Sequence, residues 1–463
     1  MDNRLNQSNM KKHILLIVLL NLFYIGNAQC WQSVSAGIYT TLGIKTDGTL
    51  WACGINWNGQ LGDGTTTDKN YFVQVGTDTN WKMVSSGQSH TLAIKMDGTL
   101  WAWGGNITWQ LGDGTNIDKL IPIQIGTAND WKLISATSWS NLALKNNGTL
   151  WAWGFNSDYG QLGDGTLISK SVPTQIGAAT DWKNISAGST HSLAIKNNGT
   201  LWAWGNNIYG QFGNGNNSNS YVPTQVGTDT NWNTATQGQY HTLALKTNGT
   251  IYSSGTGYFG ALANGSTINL NLLTQIGNQN DWVSIGAGGN NSLAIKNNGT
   301  LWTCGENIFG MIGDGTTIQR DVLTQVGNLT NWQFASTGAY HTIGLKTDGS
   351  LSSWGYNFYG ELGVGNNSIS LIPISTACLT MGTVKNEMDK SFTIYPNPSN
   401  SVLNIISNEN EIENCTVIDL MGKVILHQKN NFTQINVQNL ESGIYFVSVT
   451  INGITNFQKF IKE

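Results

Sequence analysis

The chain has 463 residues, with 56 Gly, 19 Trp and 6 Pro, a formal net charge of −4 and 11% charged residues. Charged residues usually make up ~25%, so low charge with this much Gly and Trp excludes a disordered tail and a coiled coil, and the length suits two or three domains. Nothing in the charge balance provides a basic footprint for nucleic acid, and no apolar run is long enough to span a bilayer.

In chain order, the first predicted element is an export signal at residues 1–28. Lys11, Lys12 and His13 precede an apolar run from Ile14 to Ile25, and Gly26-Asn27-Ala28 supplies small residues for cleavage. Cys30 lacks the small preceding residue of a lipoprotein cysteine, because Gln29 stands there. An exported chain can keep disulfides.

A repeat follows. Trp31, Trp81, Trp131, Trp182, Trp232, Trp282 and Trp332 are spaced by 50, 50, 51, 50, 50 and 50 residues, which makes seven copies over roughly 31–380. Each copy predicts a strand at the Trp, then an alternating strand such as His90-Thr91-Leu92-Ala93-Ile94-Lys95. Asp-Gly or Asn-Gly, as at Asp47-Gly48 and Asn147-Gly148, predicts a tight type I′ hairpin into a third strand such as Leu100-Trp101-Ala102-Trp103-Gly104. A longer loop carrying Gly-Gln-Leu-Gly-Asp-Gly, as at 59–64, leads to a fourth strand. No helical period occurs, so each copy reads as a four-stranded antiparallel sheet that needs neighbours to bury its faces. A closed radial ring of seven answers that need. The tiny residue in the second strand (Gly43, Ala93, Ala143, Ala194, Ala244, Ala294, Gly344) is expected to permit close approach between sheets.

On these residues the repeat resembles the regulator-of-chromosome-condensation family: Trp, then Gly-x-x-His-Thr-Leu-Ala, then Asp-Gly-x-Leu-Trp-x-Trp-Gly, then Gly-Gln-Leu-Gly. The fifth copy departs most, with Tyr252-Ser253-Ser254-Gly255 and Ala261-Leu262-Ala263-Asn264, and the seventh has Ser352 for a Trp. The resemblance implies an all-β chain with a seven-bladed β-propeller at 29–380.

After a polar linker at 381–391, residues 392–463 read as short strands of a small C-terminal β-sandwich. Tyr395-Pro396-Asn397-Pro398, Gly422-Lys423 and Gly443-Ile444-Tyr445 resemble the C-terminal sorting domain of the type IX secretion system of Bacteroidetes. That resemblance implies engagement of the type IX machinery, passage across the outer membrane, and release or attachment at the surface.

Signals for chemistry are thin. His90, His191, His241 and His341 share one register, where Thr40, Ser140 and Asn291 stand in other copies, so a hydrogen bond to an adjacent turn is favoured over a metal ring. Gly-Asp-Gly at 62–64, 112–114, 163–165 and 313–315 lacks cation-loop or phosphate-loop spacing and reads as turns. The lysines Lys45, Lys95, Lys145, Lys196, Lys246, Lys296 and Lys346 read as solvated turn flanks. No catalytic motif, metal site or cofactor is expected. Cys30 and Cys378 bracket the repeats, and a disulfide clasp closing the ring is proposed as an even alternative to free thiols. Cys53 and Cys304 replace a Trp in copies that are not neighbours and are expected to be buried free thiols.

Loops after strands one and three must open on one face. The first loops bring Tyr39, Trp139, Tyr240 and Tyr340 there; the third loops bring Trp57, Trp109, Tyr159, Tyr209, Phe259, Phe309 and Tyr359. The third-loop set can serve as plugs beneath the following Gly, or both sets can form a recognition surface. The expected function is a secreted or cell-surface, non-enzymatic, monomeric recognition propeller for a protein or glycan. The alternative is a secreted enzyme inhibitor, since a β-lactamase-inhibitory propeller shares the repeat type. Guanine-nucleotide exchange is disfavoured by export, and hydrolysis by the lack of a carboxylate or His constellation.

Overall fold

The computed structural model describes residues 30–376, 392–407, 412–419, 424–428, 433–451 and 454–463; the expected signal peptide, the linker and Cys378 lie outside them. The chain divides into two compact units, Met1–Met381 and Gly382–Glu463.

Each Trp-led copy forms one antiparallel sheet with its four strands in chain order. In the first copy these are Trp31–Ala36, Thr40–Lys45, Leu50–Gly54 and Lys69–Gln74. No strand is exchanged between copies, so blade and repeat coincide. First strands touch one another from blade to blade, and the first strand of copy one meets copy seven. The first strand is therefore innermost and the fourth outermost. Burial agrees: Thr40–Lys45 is buried almost throughout, whereas Lys69–Gln74 has no buried residue.

Near the axis, serines link the inner strands. The Ser86 amide donates to Ser35 Oγ at 3.1 Å, Ala136 to Ser85 Oγ at 2.9 Å and Ala187 to Ser135 Oγ at 2.9 Å. Closure uses the same bond, from the Ala36 amide to Ser336 Oγ at 3.1 Å. An inner edge satisfied in this way is no longer a template for stray pairing.

The hairpin turn differs from expectation. Gly48 has φ 78° but Asp47 is not left-handed, and the Gly48 amide donates to the Lys45 carbonyl at 2.9 Å. That is a type I turn closed by a left-handed glycine, a three-residue loop, where type I′ needs two left-handed residues. Asp47 Oδ1 favours it by accepting from the Thr49 amide and hydroxyl at 3.0 and 2.6 Å.

Tryptophans fill the gaps between blades. Trp81 and Trp103, both buried, pack with Leu42, Ile44 and Leu50 of the preceding blade. Burying about 200 Å² per indole is worth roughly 5 kcal/mol. The small second-strand residue packs in the gap to the preceding blade, as Ala93 does with Leu42 and Ile44, and it also seats the Trp of its own copy: a Cβ on Gly43 would lie 2.6 Å from the Trp31 ring, and one on Gly344 2.3 Å from that of Trp332.

In the C-terminal unit, Phe392–Tyr395, Val402–Ser407 and Gln434–Asn436 form one sheet. Val424–Gln428, Asn414–Ile418, Gly443–Ile451 and Ile454–Lys462 form the other, in that spatial order. Phe392, Leu403, Ile405 and Ile435 of the first pack on Cys415, Val417, Val447, Val449 and Phe460 of the second, which makes a small sandwich.

Candidate functional site

The third loops are built around a buried asparagine that sequence reasoning missed. Asn56 Nδ2 donates to Asp63 Oδ1 and the Thr65 carbonyl, each at 3.0 Å, and Asn56 Oδ1 accepts from the Leu61 amide at 2.9 Å. Asn106, Asn156, Asn207, Asn307 and Asn357 repeat the arrangement, and Gly257 breaks it in blade five. Its recurrence two residues after the third strand's Gly was the available signal. Burial opposes ionisation of Asp63, but bonds from Thr65, Asn56 and Lys69 outweigh it and hold the carboxyl below its ordinary range. The Gly-Asp-Gly segments are thus internal loop struts.

The four histidines are buried cross-blade struts. His90 Nε2 lies 2.7 Å from Asn141 Oδ1, His191 Nε2 3.1 Å from Thr242 Oγ1, His241 Nε2 2.9 Å from Ser292 Oγ and His341 Nε2 2.8 Å from Thr41 Oγ1. Each partner is on the second strand of the next blade, not on an adjacent turn. Burial lowers the pKa of His90, His241 and His341 to about 4, and that of His191 to about 3. Among the described residues no group of His, Cys, Asp and Glu is placed to hold a metal.

The lysines are not solvated flanks. Lys95 Nζ stands 3.6 Å from the Trp101 ring and 4.8 Å from that of Trp81, and pairs with Asp78 at 2.8 Å. Lys145, Lys196, Lys246 and Lys296 likewise combine ring contacts with an Asp partner.

The first loops converge at the mouth of the axis around a cavity of about 460 Å³. Tyr39, Trp139, Tyr159, Tyr240 and Tyr340 line it, with Ser, Thr, Gln and Gly between them, and Asp158 is the one charged lining residue. The remaining expected residues sit farther out. Tyr209 packs on Tyr240 at 5.4 Å, Phe309 on Tyr340 at 6.1 Å and Tyr359 on Tyr39 at 5.9 Å. These three buttress the funnel ring of the following blade. Trp57, Trp109 and Phe259 face solvent.

The third-loop aromatics do not share a register. Trp57 aligns with Ile107 and Phe358, whereas Trp109 aligns with Gly59. Aromatic density also concentrates where blades six, seven and one meet. Tyr356 lies 6.0 Å from Tyr39, 6.0 Å from Tyr340, 4.9 Å from Phe309 and 4.7 Å from Phe358. Tyr356 and Phe358 escaped sequence reasoning although Phe155 shares the register of the first, and Trp57 and Tyr258 that of the second. Burial and the neighbouring Tyr359 and Glu361 push the Tyr356 hydroxyl up to about 12, so it stays a donor. The arrangement offers aromatic faces, hydroxyls and amides with little charge.

Comparison with known proteins adds identity to this geometry. Residues 8–281 match the RCC1-like domain, 282–310 and 334–361 the regulator of chromosome condensation (RCC1) repeat, and 393–463 the secretion system C-terminal sorting domain. No curated protein matches the sequence. Among solved structures, human WBSCR16 is similar with TM-score 0.64 and 19% identity over 71% of this chain and 94% of that one. Yeast RCC1 (Prp20), solved with Kap60 bound, has TM-score 0.63 and 19% identity over 79% of this chain and 87% of that one. At such identity the likeness speaks for the fold alone. The sorting domain assigns the chain to type IX export and hence to the exterior or the outer-membrane surface. Among the described residues no helix is long and apolar enough to cross a membrane.

Proposed function

This chain belongs to the RCC1-like domain family, and we propose that it is an exported, non-enzymatic recognition module that binds a protein or glycan through the loop face around the funnel. The observation that carries this is the funnel itself: about 460 Å³, ringed by Tyr39, Trp139, Tyr240 and Tyr340, with a single charged lining residue. A concave site with aromatic walls and a few uncharged polar groups is the usual form of a ligand pocket. Exposed Trp139 and the half-buried tyrosines at its rim suit a binding hot spot. The buttressing by Tyr209, Phe309 and Tyr359 preorganises these rings, which lowers the ordering cost of binding.

The test uses the full chain, immobilised and exposed to a polysaccharide panel and to secreted and surface material of its own culture. The wild type should retain a defined glycan or protein. Trp139→Ala combined with Tyr240→Ala should weaken that capture at least ~10-fold with an unchanged circular dichroism spectrum. Capture indifferent to the double variant would remove the funnel from consideration.

A further inference from the structure

Trp109 stands where backbone geometry argues for glycine. The other six copies carry Gly59, Gly160, Gly210, Gly260, Gly310 and Gly360 at this register, with φ 77°, 67°, 80°, 76°, 82° and 89°. Trp109 keeps the same left-handed backbone at φ 60°, a conformation disfavoured for any residue with a Cβ and an outlier for a bulky one. Space is restricted there too. A Cβ on Gly59 would lie 2.5 Å from Leu120, one on Gly160 2.5 Å from Tyr221 and one on Gly210 2.4 Å from Asn271, all on the fourth strand of the next blade. Opposite Trp109 that register holds Ser171, smaller than any of these.

Only two other non-glycine residues are left-handed among those described. Ala263 is buried opposite Cys304 and fits the space that a Trp fills elsewhere. Phe259, φ 57°, is 37% exposed, against 38% for Trp109. Phe259 belongs to the blade-five turn that lacks the buried Asn and packs on Tyr258 at 6.0 Å, which leaves Trp109 as the exposed strained residue without a packing explanation. Strain retained at a surface site is a signature of function.

We infer that Trp109 is a stacking platform for a ring of a neutral saccharide chain; the inference rests on the recognition reading above and names its ligand class. Lys119 pairs with Asp113 at 3.3 Å, and Asp118 accepts from the Asn106 amide at 2.7 Å and from Asn58 Nδ2 at 3.2 Å, so this loop offers no free cation to an anionic ligand. An indole face is electron-rich, and the C–H face of a pyranose presents partly positive hydrogens to it.

The experiment is affinity gel electrophoresis of the full chain in neutral β-glucan, α-glucan, xylan, mannan and chitin-derived gels. The wild type is retarded by at least one of them. Trp109→Gly, the residue of the other six copies, weakens that retardation at least ~10-fold, while Tm stays within about 3 °C. Trp109→Tyr keeps a flat face and stays within a few-fold of wild type. Loss with Trp109→Gly but not with the Trp139→Ala, Tyr240→Ala pair supports the platform and keeps the recognition reading, with the contact on the third loops of that face rather than in the funnel. The reverse pattern leaves the funnel standing and overturns the platform. No retardation of the wild type, capture of a protein alone, or a Tm drop beyond about 5 °C in Trp109→Gly also overturns it.

Discussion

Glu361 is an acidic residue where Gln60, Gln110, Gln161 and Gln211 stand in other copies. It is fully buried; Oε2 accepts the Tyr359 amide at 3.0 Å, and Oε1 has no partner among the described residues. Burial raises its pKa from 4.5 to about 7. Between those values the folded chain binds the proton more tightly than the unfolded one, so this site's contribution declines as pH rises through the window. Glu361→Gln should therefore raise Tm by a few degrees at pH 8 and leave it unchanged near pH 4.5, read by a thermal melt at each pH. An equal shift at both would assign the effect to packing. The four buried histidines act oppositely. Their folded pKa values of about 4 or 3 lie below the ordinary 6.5, so stability that is present above 6.5 is lost as pH falls toward 4.

At the scale of strands, the inter-blade gap is filled by residues that vary together. Trp103, Trp153, Trp204 and Trp354 accompany Pro122, Pro173, Pro223 and Pro373 in the fourth strand, while Cys53, Ser254 and Cys304 accompany Phe72, Leu273 and Leu323. The space explains it. A Cβ on Gly62 would lie 2.6 Å from Trp103 Nε1, whereas Gly363 faces Phe72 and Cys53. Trp103 Nε1 also donates to the Gln60 carbonyl at 3.0 Å, a bond that Ser254 Oγ reproduces at 3.0 Å to Gln211. Cys304→Trp alone should cost about 1–3 kcal/mol by overpacking against Ala263 and Leu323. Adding Ala263→Gly and Leu323→Pro should recover most of it, a coupling that a mutant cycle in urea would measure. Additive losses would refute the shared-volume account. The expected free, buried state of Cys53 and Cys304 is what the structure shows, and the filled space around them is why they tolerate lacking an indole.

Across the whole molecule, the ring closes without an exchanged strand, so ordinary inter-blade contacts hold copy seven to copy one. The Trp31 amide donates to the Gly349 carbonyl at 3.0 Å and the Gly365 amide to the Asn70 carbonyl at 2.7 Å. His341 Nε2 also lies 2.8 Å from Thr41 Oγ1 across the seam. Cys30, at this seam, is disulfide-bonded; Cys378 lies outside the described residues and is the partner we propose. Cys30→Ser should lower stability by about 2–4 kcal/mol in non-reducing urea unfolding. A non-reducing peptide map should join the Cys30 and Cys378 peptides, and a free thiol at Cys378 would refute the pairing.

The sequence by itself determined the copy number, the four strands of each copy, the export route and the face on which first- and third-strand loops gather. These follow from local features: Trp spacing, a glycine at each turn, and alternation along short strands. The tertiary structure decided that the first strand lines the axis, that the lysines lie against indoles, and that histidines bridge to the next blade. It also separated the funnel aromatics from their buttresses and from the exposed Trp57, Trp109 and Phe259. Those outcomes depend on contacts between residues about fifty positions apart, or three hundred across the seam, such as Thr41 with His341. A periodic sequence places equivalent residues in equivalent strands, but what each side chain meets is set by the adjacent copy, and there the copies differ.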